Sequence, residues 1–159
     1  MVVVSKRHHI AQVNIALMRA PLDTPLMAEF VASLDEINAL ADTSPGFVWR
    51  LQTEAGDATS LRPYDDDRIL FNLSVWESLQ QLQDYVYNSA HREIMRKRRQ
   101  WFEKFEGIYL ALWWVEAGHI PSMAEAKQRI EHLNEHGPTS WSFNFKSPFP
   151  SPNQTEEFE

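Results

Sequence analysis

The chain is expected to fold as an α+β domain, with helices packed on an antiparallel sheet. Three observations carry this. Four stretches read as strands, three of them with an apolar row at a period of two. Two stretches between them repeat apolar residues at helical spacing. The stretches follow one another as β-α-β-β-α-β, with no internal repeat.

From Ile10 to Met18, Ala11, Val13, Ile15 and Leu17 alternate with Gln12 and Asn14, which predicts a first strand with one polar face. Thr24-Pro25 supplies an N-cap and a first-turn proline, and Leu26, Phe30, Leu34, Ile37 and Ala41 mark a helix. Ser44-Pro45-Gly46 breaks it. Phe47 to Gln52 alternates as a second strand, and the polar run 53–66 reads as a surface loop or long hairpin arm. Arg68 to Val75 is the third strand, with Ile69, Phe71 and Leu73 on one face and Asn72 and Ser74 on the other. Ser74-Val75-Trp76-Glu77 reads as a capping box, which opens a helix through Leu79, Leu82 and Val86. That stripe bends at Asn88-Ser89 and continues through His91, Met95 and Phe102. Ile108 to Val115, apolar on both faces, is the fourth strand.

This order is the ferredoxin-like arrangement. An extension follows Gly118. Ser122 to Glu125 forms a capping box, with Met123, Ala126, Ile130 and Leu133 as the apolar stripe of a further helix. Gly137-Pro138 ends it, and Trp141, Phe143 and Phe145 alternate as a short added strand. A single domain is expected over residues 8–146, with the core at 8–116 and the extension at 117–146. The Pro-rich, acidic stretch 147–159 is expected to be disordered.

Composition narrows the function classes. The net charge of −7 argues against nucleic acid as a partner. With no cysteine, disulfides, thiolate metal sites and thiol nucleophiles are excluded. No apolar run reaches the roughly 18 residues of a membrane span. The charges at Lys6 and Arg7 follow a short apolar run, the wrong order for a signal peptide, so a cytoplasmic protein is the expectation.

Helices on one side of a four-stranded sheet leave the other side open. That open side is expected to carry Gln12, Asn14, Asn72 and Ser74, together with an aromatic row of the fourth strand. So large a mixed surface calls for cover, and a two-fold homodimer would supply it.

Ser74-Val75-Trp76-Glu77-Ser78, with Leu82, Tyr85 and Ser89-Ala90-His91, resembles the second half of antibiotic-biosynthesis-monooxygenase-like domains. A closer resemblance, over residues 10–146, is to domain of unknown function 3291. It rests on Leu112-Trp113-Trp114-Val115-Glu116-Ala117-Gly118-His119-Ile120-Pro121, Glu125-Ala126, Arg129-Ile130, Leu133 and Gly137-Pro138-Thr139. The resemblance implies a dimeric α/β barrel. It brings no established activity: the monooxygenase relatives oxidise aromatic polyketide-like substrates without metal or bound cofactor, and other dimeric barrels bind haem.

His91, on the apolar stripe of the second helix, is a candidate general base or axial ligand, against a core-edge histidine bonded to backbone. His119, where the chain turns after the fourth strand, is either a base or ligand at a barrel mouth or a pin for the turn. Trp113 and Trp114 point to opposite sheet faces, one toward helices and one toward a cavity where it could stack on a planar ligand. Gln12, Asn14 and Asn72 mark a pocket, because a covered amide must find a partner. Arg50 is a handle for an anion or one half of an ion pair. The basic run Arg92 to Arg99 reads as a solvated helix face. Asp65-Asp66-Asp67 and His8-His9 do not converge on a metal. Three functions compete. The first is a cofactor-independent monooxygenase-like enzyme acting on an aromatic substrate. The second is a non-catalytic binder of a planar hydrophobe or of haem. The third is a structural homodimer.

Overall fold

The structure, a computed structural model, describes residues 7–52, 68–104 and 107–152. β1 (His8–Met18) is central. It pairs antiparallel with β3 (Ile69–Trp76) on one side and with β5 (Leu110–Glu116) on the other. β2 (Phe47–Arg50) flanks β3, and the two-residue β4 (Phe102–Glu103) meets the end of β1. The main order is β2-β3-β1-β5, the antiparallel ferredoxin-like sheet expected from the sequence. A 3₁₀ turn (Pro25–Met27) leads into α1 (Ala28–Asp42). Then α2 (Leu79–Val86), α3 (Ser89–Met95) and α4 (Arg98–Trp101) link β3 to β4, and α5 (Met123–His136) follows β5.

Register fixes what shares a face. Ile10 lies opposite Trp76 and Trp114, Gln12 opposite Ser74 and Leu112, and Asn14 opposite Asn72 and Leu110. These even-numbered residues of β1, β3 and β5 form one side of the sheet. Ala41 of α1 and Leu82 of α2 pack on its Ile10 end with Trp76, Leu112 and Phe143. Phe30 of α1 and Trp101 of α4 pack on its Met18 end. The side holding Gln12, Asn14, Asn72 and Ser74 therefore lies beneath the helices, the reverse of the expected sidedness.

The odd-numbered side is apolar apart from His9, which lies opposite Val115, and α5 packs on it. Ala126, Ile130 and Leu133 pack against Ala11, Val13, Ile15, Phe71, Leu73, Val75, Ala111, Trp113 and Val115, all buried within one chain. Burying that set stabilises the fold by about 25 cal/mol per Å² of apolar surface. The side that α1 and α2 leave open is thus the apolar one, and α5 packs against it within the same chain.

Four local expectations change. The strand around Ser74 continues to Trp76, because Ser74 is tied across the sheet to Gln12. The helix cap is Ser78, whose hydroxyl accepts from the Gln81 N–H. The helix expected to reach Phe102 is broken into three, because Trp101 and Phe102 sink among Met18, Met27 and Phe30. The strand expected at Trp141–Phe145 shrinks to one bridge, Leu112 to Phe143, after a turn closed by Thr139 and Ser142. In the stretch from Ser147, Phe149 packs on the Ile10 cluster and its carbonyl accepts from Trp114 Nε1 at 3.0 Å. The 53–66 loop, the Asp65–Asp67 triplet and residues 153–159 lie outside the described residues.

Candidate functional site

Among the polar side chains beneath the helices, Gln12 is the hinge. Its side-chain N–H groups donate to Asn72 Oδ1 at 2.7 Å and to Ser74 Oγ at 2.8 Å. Ser74 Oγ also accepts from Trp76 Nε1 at 3.0 Å. An indole N–H can only donate, so Ser74 is held as an acceptor from Trp76. Gln12 and Ser74 are buried, at 8% and 7% exposure, whereas Asn72 is exposed. The patch thus runs from a dry interior out to solvent. Beside it, Asn14 Oδ1 is buried with no hydrogen-bond partner. A buried carbonyl oxygen left without a donor costs about 1–3 kcal/mol.

Rings continue the patch toward α2 and α3. Trp76 stacks on Tyr85, with centroids 4.9 Å apart, and Tyr85 lies 4.8 Å from the His91 ring. Burial pushes the Tyr85 phenol up to about 12, with nearby Arg50 opposing the shift and Asp42 adding to it. His91 Nδ1 lies 3.1 Å from the Val86 carbonyl. A carbonyl can only accept, so Nδ1 carries the proton and Nε2 is the basic nitrogen. Desolvation lowers the His91 pKa, only partly offset by the bond to Val86. The ring is therefore held neutral, in one tautomer. The backbone bond of the bland reading is present, and it is also what a base needs to be oriented.

Arg50 reaches this side through a β-bulge. The register slips between Phe47 and Trp49, so Phe47 and Arg50 share the helix-covered side and Trp49 falls on the other. There Arg50 pairs with Asp42, at 2.8 Å and 3.3 Å, closing the gap between α1 and β2. That is the ion-pair reading of this residue.

The remaining candidates lie elsewhere. Trp113 is buried on the odd side and donates to Glu125 Oε2 at 2.8 Å. His119 Nε2 meets Glu125 Oε1 at 2.8 Å, pinning the turn after β5 to the first turn of α5. Trp114 is on the helix-covered side, but at the sheet end that residues 148–151 cover. The structure thus gathers Gln12, Asn14 and Asn72, links them through Ser74, Trp76 and Tyr85 to His91, and separates His119 and Trp113 from them. Ser74 and Trp76 belong to the patch although the sequence around them also fits a capping box; their alternation with Asn72 is the sequence signal for it. Among the described residues, no three His, Asp or Glu side chains converge as a metal site, and no helix is long and apolar enough to cross a membrane.

Three solved structures give likenesses of shape. The cofactor-independent oxygenase SnoaB from Streptomyces nogalater is 17% identical, with 70% of this chain and 95% of that one covered and a TM-score of 0.47. A dabb family protein with a ferredoxin-like fold from Mesorhizobium loti is 11% identical, with coverage of 72% and 98% and a TM-score of 0.42. MupZ from Pseudomonas fluorescens is 12% identical, with 96% of each chain covered and a TM-score of 0.44. No curated protein matches the chain. Residues 9–159, nearly the whole chain, match the family described as Domain of unknown function (DUF3291), and the protein belongs to that family.

Proposed function

We propose that the protein binds a small hydroxylated aromatic molecule between sheet and helices, and oxidises it without a metal or bound cofactor. The observation that carries this is Asn14 Oδ1, a buried acceptor with no donor, beside the solvent-reaching amide of Asn72. A phenolic O–H supplies the missing donor, and the Asn72 amide N–H groups can hold the resulting oxyanion. His91, neutral and with Nε2 basic, is the group to receive a proton. An anthrone-type CH₂ would then react with dioxygen to give C=O, with the second oxygen atom leaving as water.

Oxygen uptake against a panel of hydroquinones and anthrones tests the reading. Turnover that falls at least about tenfold in Asn14→Ala and in His91→Gln supports it. No uptake across the panel, with the wild-type chain folded, removes the catalytic reading. The His91 tautomer also suits an axial ligand, so a haem titration belongs beside the assay. A Soret shift lost in His91→Gln would favour a haem binder instead.

A further inference from the structure

We propose a second ligand site, at the end of the sheet where β1 begins and β3 and β5 end, that takes a flat aromatic ring bearing an anionic group. A groove of about 810 Å³ lies there between the start of α2 and the segment 148–151. Its size falls within the roughly 300–1,000 Å³ of small-molecule sites. Its apolar walls are Trp114, Leu79, Phe149 and two prolines, Pro148 and Pro150.

The Trp114 indole N–H is spent on the Phe149 carbonyl, so what this residue can offer a ligand is its ring face. The same bond fixes the Pro-rich segment as the opposite wall. Phe149 is anchored in turn against Phe143, with centroids 5.8 Å apart. Two walls of ring and proline surface, each tethered, accommodate a planar ring better than a flexible chain. Arg7 is the fixed positive charge among the lining residues, and its side chain can meet a carboxylate. Glu77, also on the lining, disfavours a second negative group, so the ligand is a monoanion. The groove is separate from the amide patch: none of Gln12, Asn14, Asn72 and Ser74 lines it, and Trp114 pairs in the row of Ile10, one row beyond Gln12.

The test uses the full chain labelled with nitrogen-15, with 2-naphthoate as the probe and the tryptophan indole signals as the readout. Trp114→Phe identifies the Trp114 signal. A saturable shift of that signal is expected, weakened about two- to fivefold in Arg7→Ala and weaker still with neutral 2-naphthylmethanol. No saturable Trp114 shift at millimolar 2-naphthoate overturns the site. Equal affinity for the neutral probe overturns its preference for an anion. A shift confined to the Trp76 signal also overturns it, and would place the aromatic in the amide patch. Because the readout is binding at Trp114, it stands whether or not the amide patch proves catalytic.

Discussion

Gln12 and Asn72 lie in different strands, 60 residues apart, and the Gln12 side-chain amide donates to Asn72 Oδ1 at 2.7 Å beneath the helices. The same nitrogen holds buried Ser74. Replacing Gln12 with leucine keeps the volume but removes one donor from Ser74 Oγ, which retains the Trp76 N–H, and one from the exposed Asn72. The expected cost is about 0.5–1.5 kcal/mol in urea unfolding, the net worth of a hydrogen bond whose acceptors keep another partner or solvent. A neutral effect would show that water replaces Gln12, and that the patch is wetter than its burial implies.

His91 makes acid stability a probe of the site. Burial lowers its pKa in the folded chain, so as pH falls below about 6.5 the unfolded chain takes up a proton that the native state resists. Stability is full above that value and declines below it until the lowered folded pKa is passed. His9, also lowered chiefly by burial, acts in the same direction. Urea midpoints from pH 8 to pH 5 should fall for the wild type and fall less for His91→Gln, with His9 accounting for part of what remains.

At the alkaline end the sign reverses for Tyr85. Its folded pKa of about 12 lies above the roughly 10 of a free phenol. The native state therefore keeps a proton that the unfolded chain releases. This contribution is fully present below about pH 10 and is lost as pH rises toward 12. Ultraviolet difference titration should show one late-ionising phenol that disappears in Tyr85→Phe.

Gly46 and Gly118 separate backbone strain from crowding. Both have positive φ, 84° and 95°. A Cβ at Gly46 would collide with the Gln81 side chain, whereas one at Gly118 meets nothing within 4 Å. Alanine at Gly118 should cost about 1–2 kcal/mol from the left-handed backbone alone. Alanine at Gly46 should cost more, because the Gln81 side chain must also move. Equal values from chemical denaturation would mean that Gln81 swings away freely.

Leu133 tests α5 as the cover of the odd side. It is 2% exposed and packs among Trp113, Val115 and Ile130. Leu133→Ala should destabilise the chain by about 2–5 kcal/mol in urea unfolding. It should also raise the scattering mass if loosening α5 bares the apolar face. An unchanged unfolding midpoint would mean that α5 contributes little to covering the sheet.

The sequence by itself determined the element order, the antiparallel sheet and the grouping of side chains. A period of two forces Gln12 and Asn14 onto one side of β1, and Asn72 and Ser74 onto one side of β3, whatever else the chain does. Ser122 capping α5, accepting from the Glu125 N–H, was legible because a cap is local. Periodicity states which residues lie together, not what lies above them. That the amide side faces the helices was decided by how α1 and α2 cross the sheet, and that α5 takes the apolar side was decided by packing. The bulge between Phe47 and Trp49 shows the limit most directly. One extra residue turns Arg50 toward Asp42 and the helix-covered side, against strict alternation. Such a slip is settled by contacts between strands and helices, which no spacing along a single strand records.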